Sequence, residues 1–168
     1  EYLDTDAPVY HGPPLRCLQS FDLKSAASDS QLPTSYGIGR IVTPSAVDLF
    51  GDHRPVNGWI TCPAVMDAVL YACGATIGRL TNRPSLPVCM DQLRLTRRPR
   101  AGETLTVVVA VRQLNVGAEN VPDSGVSGSS VSAGVGTQSL LDAVLLPHGS
   151  PDRKPLAMLN GYRVGWIS

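Results

Sequence analysis

The residues best suited to chemistry in this sequence are an aspartate and a tyrosine four positions apart. Asp67 and Tyr71 fall in the segment 61–80, and Asp67 is the only charged side chain between Thr61 and Gly78. Residues four apart share one face of a helix. Burial of a carboxyl group favours its neutral form, which can donate a proton as a general acid. The pair therefore predicts a proton-donating site, with the Tyr71 phenol in reach of the same pocket.

A purely structural role for Asp67 is the alternative. A buried carboxylate can cap a neighbouring loop or accept hydrogen bonds from backbone N–H groups without taking part in any reaction. Residue type alone leaves both interpretations open.

The element that must position this pair is a helix predicted over 61–80. Thr61 is suited to the N-cap position, and Pro63 suits the first turn. Apolar residues point in almost every direction around this helix, which predicts that it is buried in a core. Its small residues would let another surface approach closely, and they are Ala68, Ala72, Gly74, Ala75 and Gly78.

Short segments separated by proline and glycine surround this helix. Strands are predicted over 15–23, 36–42, 86–95, 104–114, 138–146 and 155–167, with turns at 99–102 and 148–152. Irregular segments are predicted over 25–33 and 43–59, a Gly/Ser-rich mobile connection over 117–136, and a loosely packed lead-in over 1–13. One buried helix and a run of antiparallel strands predict an α+β arrangement, with residues 1–168 as one domain.

Composition excludes several classes of protein. The 168 residues carry 14 Lys+Arg against 14 Asp+Glu, and only 17% are charged while 43% are hydrophobic. A zero net charge argues against a nucleic-acid binder and against a polybasic membrane-surface protein. No apolar run reaches the ~18 residues of a membrane span, and no signal peptide is predicted.

The cysteines and histidines predict no metal site. Cys17, Cys62, Cys73 and Cys89 contain no Cys-x-x-Cys pair, and three of them lie in apolar surroundings. Buried thiols in a cytoplasmic protein are the expected state. The sequence also contains no glycine loop of the kind that cradles phosphate and no dinucleotide fingerprint.

Three motifs, in order along the chain, resemble one enzyme family. Tyr-His-Gly-Pro-Pro-Leu-Arg at 10–16 is similar to the Gly-Pro-x-Phe motif that opens the second half of polyketide synthase dehydratase domains. Cys-Pro-Ala-Val-Met-Asp-Ala at 62–68 is similar to their His-Pro-x-x-x-Asp-Ala stretch, and Asn-Gly-Tyr-Arg-Val at 160–164 resembles their terminal strand. The His-Gly-Pro form resembles iterative synthases of the enediyne and polyunsaturated fatty acid type.

The resemblance implies a fold and a reaction. Members of the family form a double hotdog, in which each half wraps an antiparallel sheet around a long central helix. They remove water from a β-hydroxyacyl chain carried on the phosphopantetheine of an acyl carrier protein, and no other cofactor is implied. A histidine from the first half abstracts the α-proton, and an aspartate from the second protonates the leaving hydroxyl. Asp67 falls on that aspartate, and Tyr71 stands where the family often has Gln or His.

The sequence departs from the family in lacking the first half. None of His11, His53 and His148 starts the family's His-x-x-x-Gly-x-x-x-x-Pro pattern, although His53 has Gly58 five residues later. His53 is expected to be a loop histidine, and His148 an exposed turn residue. The chain is therefore expected to be the second hotdog alone, inactive in isolation, with its histidine supplied elsewhere.

The resemblance also implies binding residues. Tyr10, His11, Gly12, Pro13 and Gly58 form the predicted substrate-binding set, with simple packing as the alternative for Tyr10 and His11. Arg94, Arg97 and Arg98, near Arg100, are predicted contacts for the phosphopantetheine phosphate or the acidic face of a carrier protein, since arginine suits phosphate geometry. A solvated turn is the alternative for these arginines.

Expected partners are the carrier protein, an N-terminal hotdog half or other synthase domains, and a second copy of the chain. Two other functions stay open. The first is a catalytically silent hotdog that binds an acyl chain or holds a synthase together. The second is an acyl-thioester hydrolase.

Overall fold

The computed structural model describes residues 15–25, 35–50, 60–115, 138–150 and 154–166. Within those ranges it has seven strands and two helices. In chain order they are β1 (Leu18–Ser25), β2 (Ser35–Val42), α1 (Ala46–Phe50), α2 (Pro63–Thr81), β3 (Ser85–Cys89), β4 (Gln92–Leu95), β5 (Thr104–Gln113), β6 (Ser139–Pro147) and β7 (Ala157–Trp166).

The strands form one antiparallel sheet in the order β1-β2-β5-β6-β7-β3. Strand β4 also pairs with β7, so β3 and β4 lie end to end along the same side of that strand. The long strands alternate between core and surface, as half-buried strands do. In β5 and β6 the fully buried apolar positions are Leu105, Val107, Val109, Leu141 and Leu145.

Helix α2 packs against this sheet and contacts β1, β2, β3, β5 and β6. The sheet approaches it closely at Gly37, where an added Cβ would overlap Thr76 Oγ1 and lie 2.7 Å from the ring of Phe21. Glycine is therefore required there by contact distance, since Cβ atoms do not approach other heavy atoms so closely.

The two sides of α2 differ in burial. One side is fully covered and consists of Ala64, Val65, Ala68, Val69, Ala72, Cys73, Thr76 and Ile77. The other side, which includes Asp67, Leu70, Tyr71 and Gly74, is only half-buried. The prediction of a helix buried all round is therefore wrong for this second side, because the sheet covers one side of the helix only.

The predicted helix and strands are confirmed, with shifted ends. The helix begins at Pro63 and ends at Thr81, and its N-cap is Cys62, so the prediction of Thr61 as N-cap is wrong. A proline at the first helical position makes the residue before it the N-cap. The strand predicted over 15–23 begins at Leu18 and continues to Ser25. The strand predicted over 86–95 is divided into β3 and β4.

Helix α1 was not predicted, and its first turn is held by a reciprocal cap. Ser45 Oγ accepts a hydrogen bond from the Asp48 N–H at 3.1 Å, and Asp48 Oδ2 accepts one from the Ser45 N–H at 3.0 Å. This is a capping box with aspartate in place of glutamate. The Ser-x-x-Asp spacing was present in a segment predicted to be irregular.

The divided strand marks an irregular site at the edge of the sheet. Between β3 and β4, Asp91 binds the guanidinium of Arg163, with Nη1 to Oδ1 at 2.5 Å. Opposite this break, Gly161 has φ +65°, and a side chain there would collide with Asp91. The edge strand β3 contains Pro87 and exposes Leu86 and Val88, whose exposed fractions are 41% and 51%.

In the part of the chain that the structure describes, no helix is long and apolar enough to cross a bilayer.

Candidate functional site

The predicted acid lies in the second turn of α2. The helix starts with Pro63 at its first position, and Met66 N donates to Cys62 O at 3.1 Å to close the first turn. No side chain caps this end of the helix. Asp67 follows on the half-buried side, and its Oδ2 atom is shielded from solvent. The Asp67 carboxyl group therefore lies at the boundary between the protein interior and the half-buried side of α2.

Tyr71 lies one turn further along the same side, as its spacing predicted. It is half-buried and packs against the core. The structure thus places the predicted pair Asp67 and Tyr71 on a common face, in the part of α2 that the sheet leaves uncovered.

Two further groups, from segments distant in the chain, lie near Asp67, and no pattern in the sequence predicted them. Its negative charge contributes to raising the pKa of Cys17 and of Tyr162, although burial is the larger cause in both cases. Both side chains therefore lie within electrostatic range of the Asp67 carboxylate.

Cys17 holds the chain before β1 against the first turn of α2. Its thiol is buried and donates to the backbone oxygen of Ala64 at 2.9 Å. Burial, with help from Cys62, raises the pKa of Cys17 to about 12. The thiolate is the nucleophilic form of cysteine, so Cys17 is a structural thiol rather than a nucleophile.

Tyr162 enters the core from β7. It is 2% exposed, and its hydroxyl is buried without a hydrogen-bond partner within the described part of the chain. Burial, followed by the charges of Cys73 and Asp67, raises the pKa of the phenol above its ordinary value. The hydroxyl therefore stays protonated and can act as a hydrogen-bond donor.

An irregularity in β7 precedes Tyr162. The pairing of β6 with β7 shifts register between Leu141 and Ala143. Next to this shift, Gly161 N donates to Asp142 Oδ1 at 2.9 Å, and Asp142 Oδ2 lies 2.5 Å from Arg112 Nε. Such bulges redirect side chains locally. The motif at 160–164 pointed to this strand but not to the Tyr162 hydroxyl as a site group.

The predicted carrier contacts lie in and after β4. Arg94, Arg97 and Arg98 are all exposed. Arg97 is bound to Glu103, with Nη1 to Oε2 at 2.9 Å, and this bond lowers the pKa of the Glu103 carboxyl. Arg97 therefore has a carboxylate partner within the chain, which the cluster of arginines in the sequence did not predict.

The predicted substrate-binding residues Tyr10, His11, Gly12, Pro13 and Gly58 lie outside the described residues, as does His53. His148 is exposed in the turn after β6, where its Nδ1 is 2.9 Å from Thr106 Oγ1. In the part of the chain that the structure describes, no three His, Cys, Asp or Glu residues are grouped so as to hold a metal ion.

No protein-family model and no curated protein matches the chain. Among solved structures, the dehydratase domain from the CurJ module of the curacin polyketide synthase is similar, with 10% identity and a TM-score of 0.58. The match covers 95% of this chain and 45% of that domain. The chain thus spans about half the length of the dehydratase domain.

Two other solved structures, which this chain matches over nearly their whole length, are similar to the same degree. A Lactococcus lactis protein classed as a thioesterase, YhdA, has 6% identity and a TM-score of 0.56, with 90% of this chain and 95% of that one covered. Smu.793 of Streptococcus mutans, solved with acetyl CoA, has 9% identity and a TM-score of 0.53, with coverages of 94% and 97%. Likeness at these identities shows the fold, and the predicted fold is confirmed: the chain is a hotdog, an antiparallel sheet packed against one long helix.

Proposed function

We propose that this chain is the second half of a polyketide synthase dehydratase domain, with Asp67 as its general acid. The observation that carries the proposal is the position of Asp67. It is an acidic side chain with one shielded oxygen, on the side of α2 that the sheet leaves half-covered. The match to about half of a dehydratase domain supports the same assignment.

The proposed reaction needs two groups. A base, a histidine of the first hotdog, removes the α-proton of the β-hydroxyacyl thioester. The electron pair forms the carbon–carbon double bond, the bond to the β-hydroxyl breaks, and Asp67 gives its proton to the departing oxygen, which leaves as water. A positioned carboxyl group is suited to such a proton transfer.

The uncovered side of α2 is where the missing base would enter. Leu70, Tyr71 and Gly74 are half-buried in this chain and flank Asp67 along the helix. Gly74 has no heavy atom nearer than 3.9 Å to an added Cβ, so this side is open to close approach. In the proposal, an N-terminal hotdog half or a second copy of the chain covers it.

In this proposal the chain is part of a longer synthase polypeptide. The test compares the 168-residue chain alone with that polypeptide, using a β-hydroxyacyl pantetheine thioester as substrate. The isolated chain should not dehydrate at a useful rate, because it lacks the base. In the longer polypeptide, Asp67→Asn should lower turnover by about 10²–10⁴-fold, the contribution of a positioned acid or base.

The matched control is Asp22→Asn, which removes an exposed carboxylate on β1 that is 3.8 Å from Lys24. It should leave turnover unchanged. Dehydration by the isolated chain that survives Asp67→Asn would refute the proposal.

An acyl-thioester hydrolase is the second candidate, and one observation favours it. The match covers 95% of YhdA, so the chain spans nearly the whole length of that protein. Hydrolysis transfers water to the thioester carbonyl, breaks the carbon–sulfur bond and releases a thiol, whereas dehydration leaves the thioester intact. Thiol release from an acyl-CoA by the isolated chain, lost in Asp67→Asn, would favour hydrolysis over dehydration.

A further inference from the structure

The outer face of the sheet, on the side away from α2, is apolar in its middle. Strands β5 and β6 alternate between the two faces, and their inward residues belong to the core. An antiparallel strand with one solvated face normally carries polar residues at its outward positions. In β5 and β6 the outward positions instead include four half-buried apolar residues, Val108, Ala110, Val144 and Leu146. Near-continuous apolar runs of this kind are typical of strands that are covered on both faces.

Strand pairing aligns outward residues into one row across the sheet. Residues directly opposite each other in neighbouring strands point to the same face. Each member of this row is paired with the next, and we call it the outer row: Asp22, Ile38, Val108, Val144, Met158 and Arg94. Its four inner members are apolar and half-buried, and its two end members are charged and exposed. With neighbouring strands about 4.8 Å apart, the outer row is about 24 Å long.

Neither helix of the described ranges packs on the outer row. Helix α2 lies on the other side of the sheet, against the inward residues, and α1 contributes Leu49 to the same core. The apolar middle of the outer row therefore points away from the described part of the chain.

The charges at the two ends of the outer row have opposite signs. The side chain of Asp22 is 67% exposed on β1, and Arg94 is exposed on β4. Asp22 lies 3.8 Å from Lys24, and an ion pair this exposed is weak. Both end charges can therefore pair with a charge on another molecule.

A second copy of the chain fits the outer row about a two-fold axis that runs along the strands. In a two-fold dimer both copies use the same surface, so each contact occurs twice. Rotation about this axis reverses the order of the row, so that Asp22 lies over Arg94 of the second copy. The same rotation places Val108 over Val144, and apolar residues face apolar residues throughout the middle. An axis across the strands would instead place Asp22 over Asp22, where like charges repel.

We propose that the outer row is a self-association surface, through which two copies pack their sheets face to face as a two-fold dimer. Sheets that pack in this way keep their strand directions within about 30° of each other. The apolar middle covers only four strands, so the interface is small and the dimer should be weak, with a Kd in the micromolar range. The outer row lies across the sheet from Asp67, so association leaves the site of the proposed reaction unaffected.

The first test is sedimentation velocity of the 168-residue chain from low micromolar to submillimolar concentration, where a reversible dimer should form. Val144→Lys places a charge in the middle of the interface in both copies and should raise the Kd by about a hundredfold or more. Circular dichroism should show an unchanged fold, because the residue points outward. A wild-type chain that is monomeric at every concentration would mean that another partner covers this face, and it would overturn the proposal.

The second test exchanges the end charges and does not depend on Val144. Asp22→Arg and Arg94→Asp should each raise the Kd by about tenfold, because like charges then meet at both ends of the row. An equimolar mixture of these two variants should associate more tightly than either variant alone, since each arginine end of one then meets an aspartate end of the other. A mixture that associates no better than its components would refute the pairing.

Two controls separate the outer row from other effects. Arg83→Asp makes the same change of charge as Arg94→Asp at an exposed position directly after α2, and it should leave the Kd unchanged. An equal loss of association in both variants would assign the effect to net charge and overturn the proposal. Asp67→Asn should also leave the Kd unchanged, so failure of the dehydratase proposal would not affect this result.

Discussion

Replacing Tyr162 with phenylalanine should make the protein more stable and should lower the dehydratase activity that we propose for it. The ring of Tyr162 fills the core, but its hydroxyl is buried without a partner in the described structure. A buried polar group without a hydrogen bond is destabilising by about 1–3 kcal/mol. Phenylalanine keeps the ring and removes that group, so the free energy of unfolding should rise by about 1–3 kcal/mol.

The activity should change in the opposite direction. The Tyr162 phenol is in electrostatic range of Asp67 and stays protonated because burial raises its pKa. In the proposed function it would act on Asp67 only once substrate binds, by donating a hydrogen bond that the described structure does not contain. If the chain works in a dehydratase as we propose, the turnover number for dehydration should fall in Tyr162→Phe, while the affinity for substrate should stay unchanged.

Urea denaturation followed by circular dichroism measures the first effect, and turnover of a β-hydroxyacyl thioester measures the second. For a chain of this length, each kcal/mol should shift the melting temperature by about 2–4 °C. The matched control is Tyr71→Phe, which removes a hydroxyl from a half-buried side chain and should bring no gain in stability. A Tyr162→Phe protein less stable than the wild type would show that the hydroxyl is satisfied and refute the reasoning.

Three further results are expected. Gly37→Ala should lower the free energy of unfolding in urea by about 1–3 kcal/mol, because the new Cβ would lie 2.7 Å from the Phe21 ring and would overpack the core. Cys89 should be the one thiol that reacts rapidly with a disulfide reagent in the native protein, since it is exposed and the other three cysteines are buried; Cys89→Ser should abolish this rapid phase. Glu103→Gln should reduce the loss of stability at acid pH. Hydrogen bonding to Arg97 lowers the pKa of Glu103 below its ordinary value of 4.5, so its stabilising effect is present above that pH and lost as the pH falls further.

Each of these results has a contrary outcome. Gly74→Ala is the matched variant for Gly37→Ala, since it has open space around it and should gain up to about 1 kcal/mol from the removal of a helical glycine. Equal losses in the two variants would contradict the contact argument. Rapid reaction of a second thiol would show that the core opens. The contribution of the Arg97–Glu103 ion pair to stability is expected to be below about 1 kcal/mol because the pair is partly exposed. If the wild type and Glu103→Gln showed the same dependence of stability on pH, Glu103 would have no role in it.

The helix α2 and the strands of this fold could be predicted because the spacing of apolar residues that identifies each of them lies within a short stretch of the chain. The alternating valines of β5 and the long apolar run of α2 each define one element and its approximate ends. Asp67 could be singled out for the same reason, since a charge in an apolar helix is visible without knowledge of the fold.

The surroundings of Asp67 could not be predicted in this way. Tyr162 is 95 residues further along the chain, and it reaches the core through the register of β6 with β7, which changes at an irregularity beside Gly161. Nor could the covered side of α2 be predicted, because both sides are apolar and only the sheet distinguishes them. Helix α1 differs from these cases, since Ser45 and Asp48 had the spacing of a capping box.

The proline in β3 has a consequence for how the chain behaves when it is made alone. An exposed edge strand with apolar side chains can template pairing between molecules and lead to fibres. Pro87 lies in the middle of that edge, between Leu86 and Val88. Because proline has no backbone N–H, an edge strand lacks a hydrogen-bond donor on its outer side at this position. Continuous growth of the sheet from molecule to molecule is therefore interrupted at this residue. Pairing of molecules through this edge is therefore expected to be limited when the chain is produced alone for the experiments above.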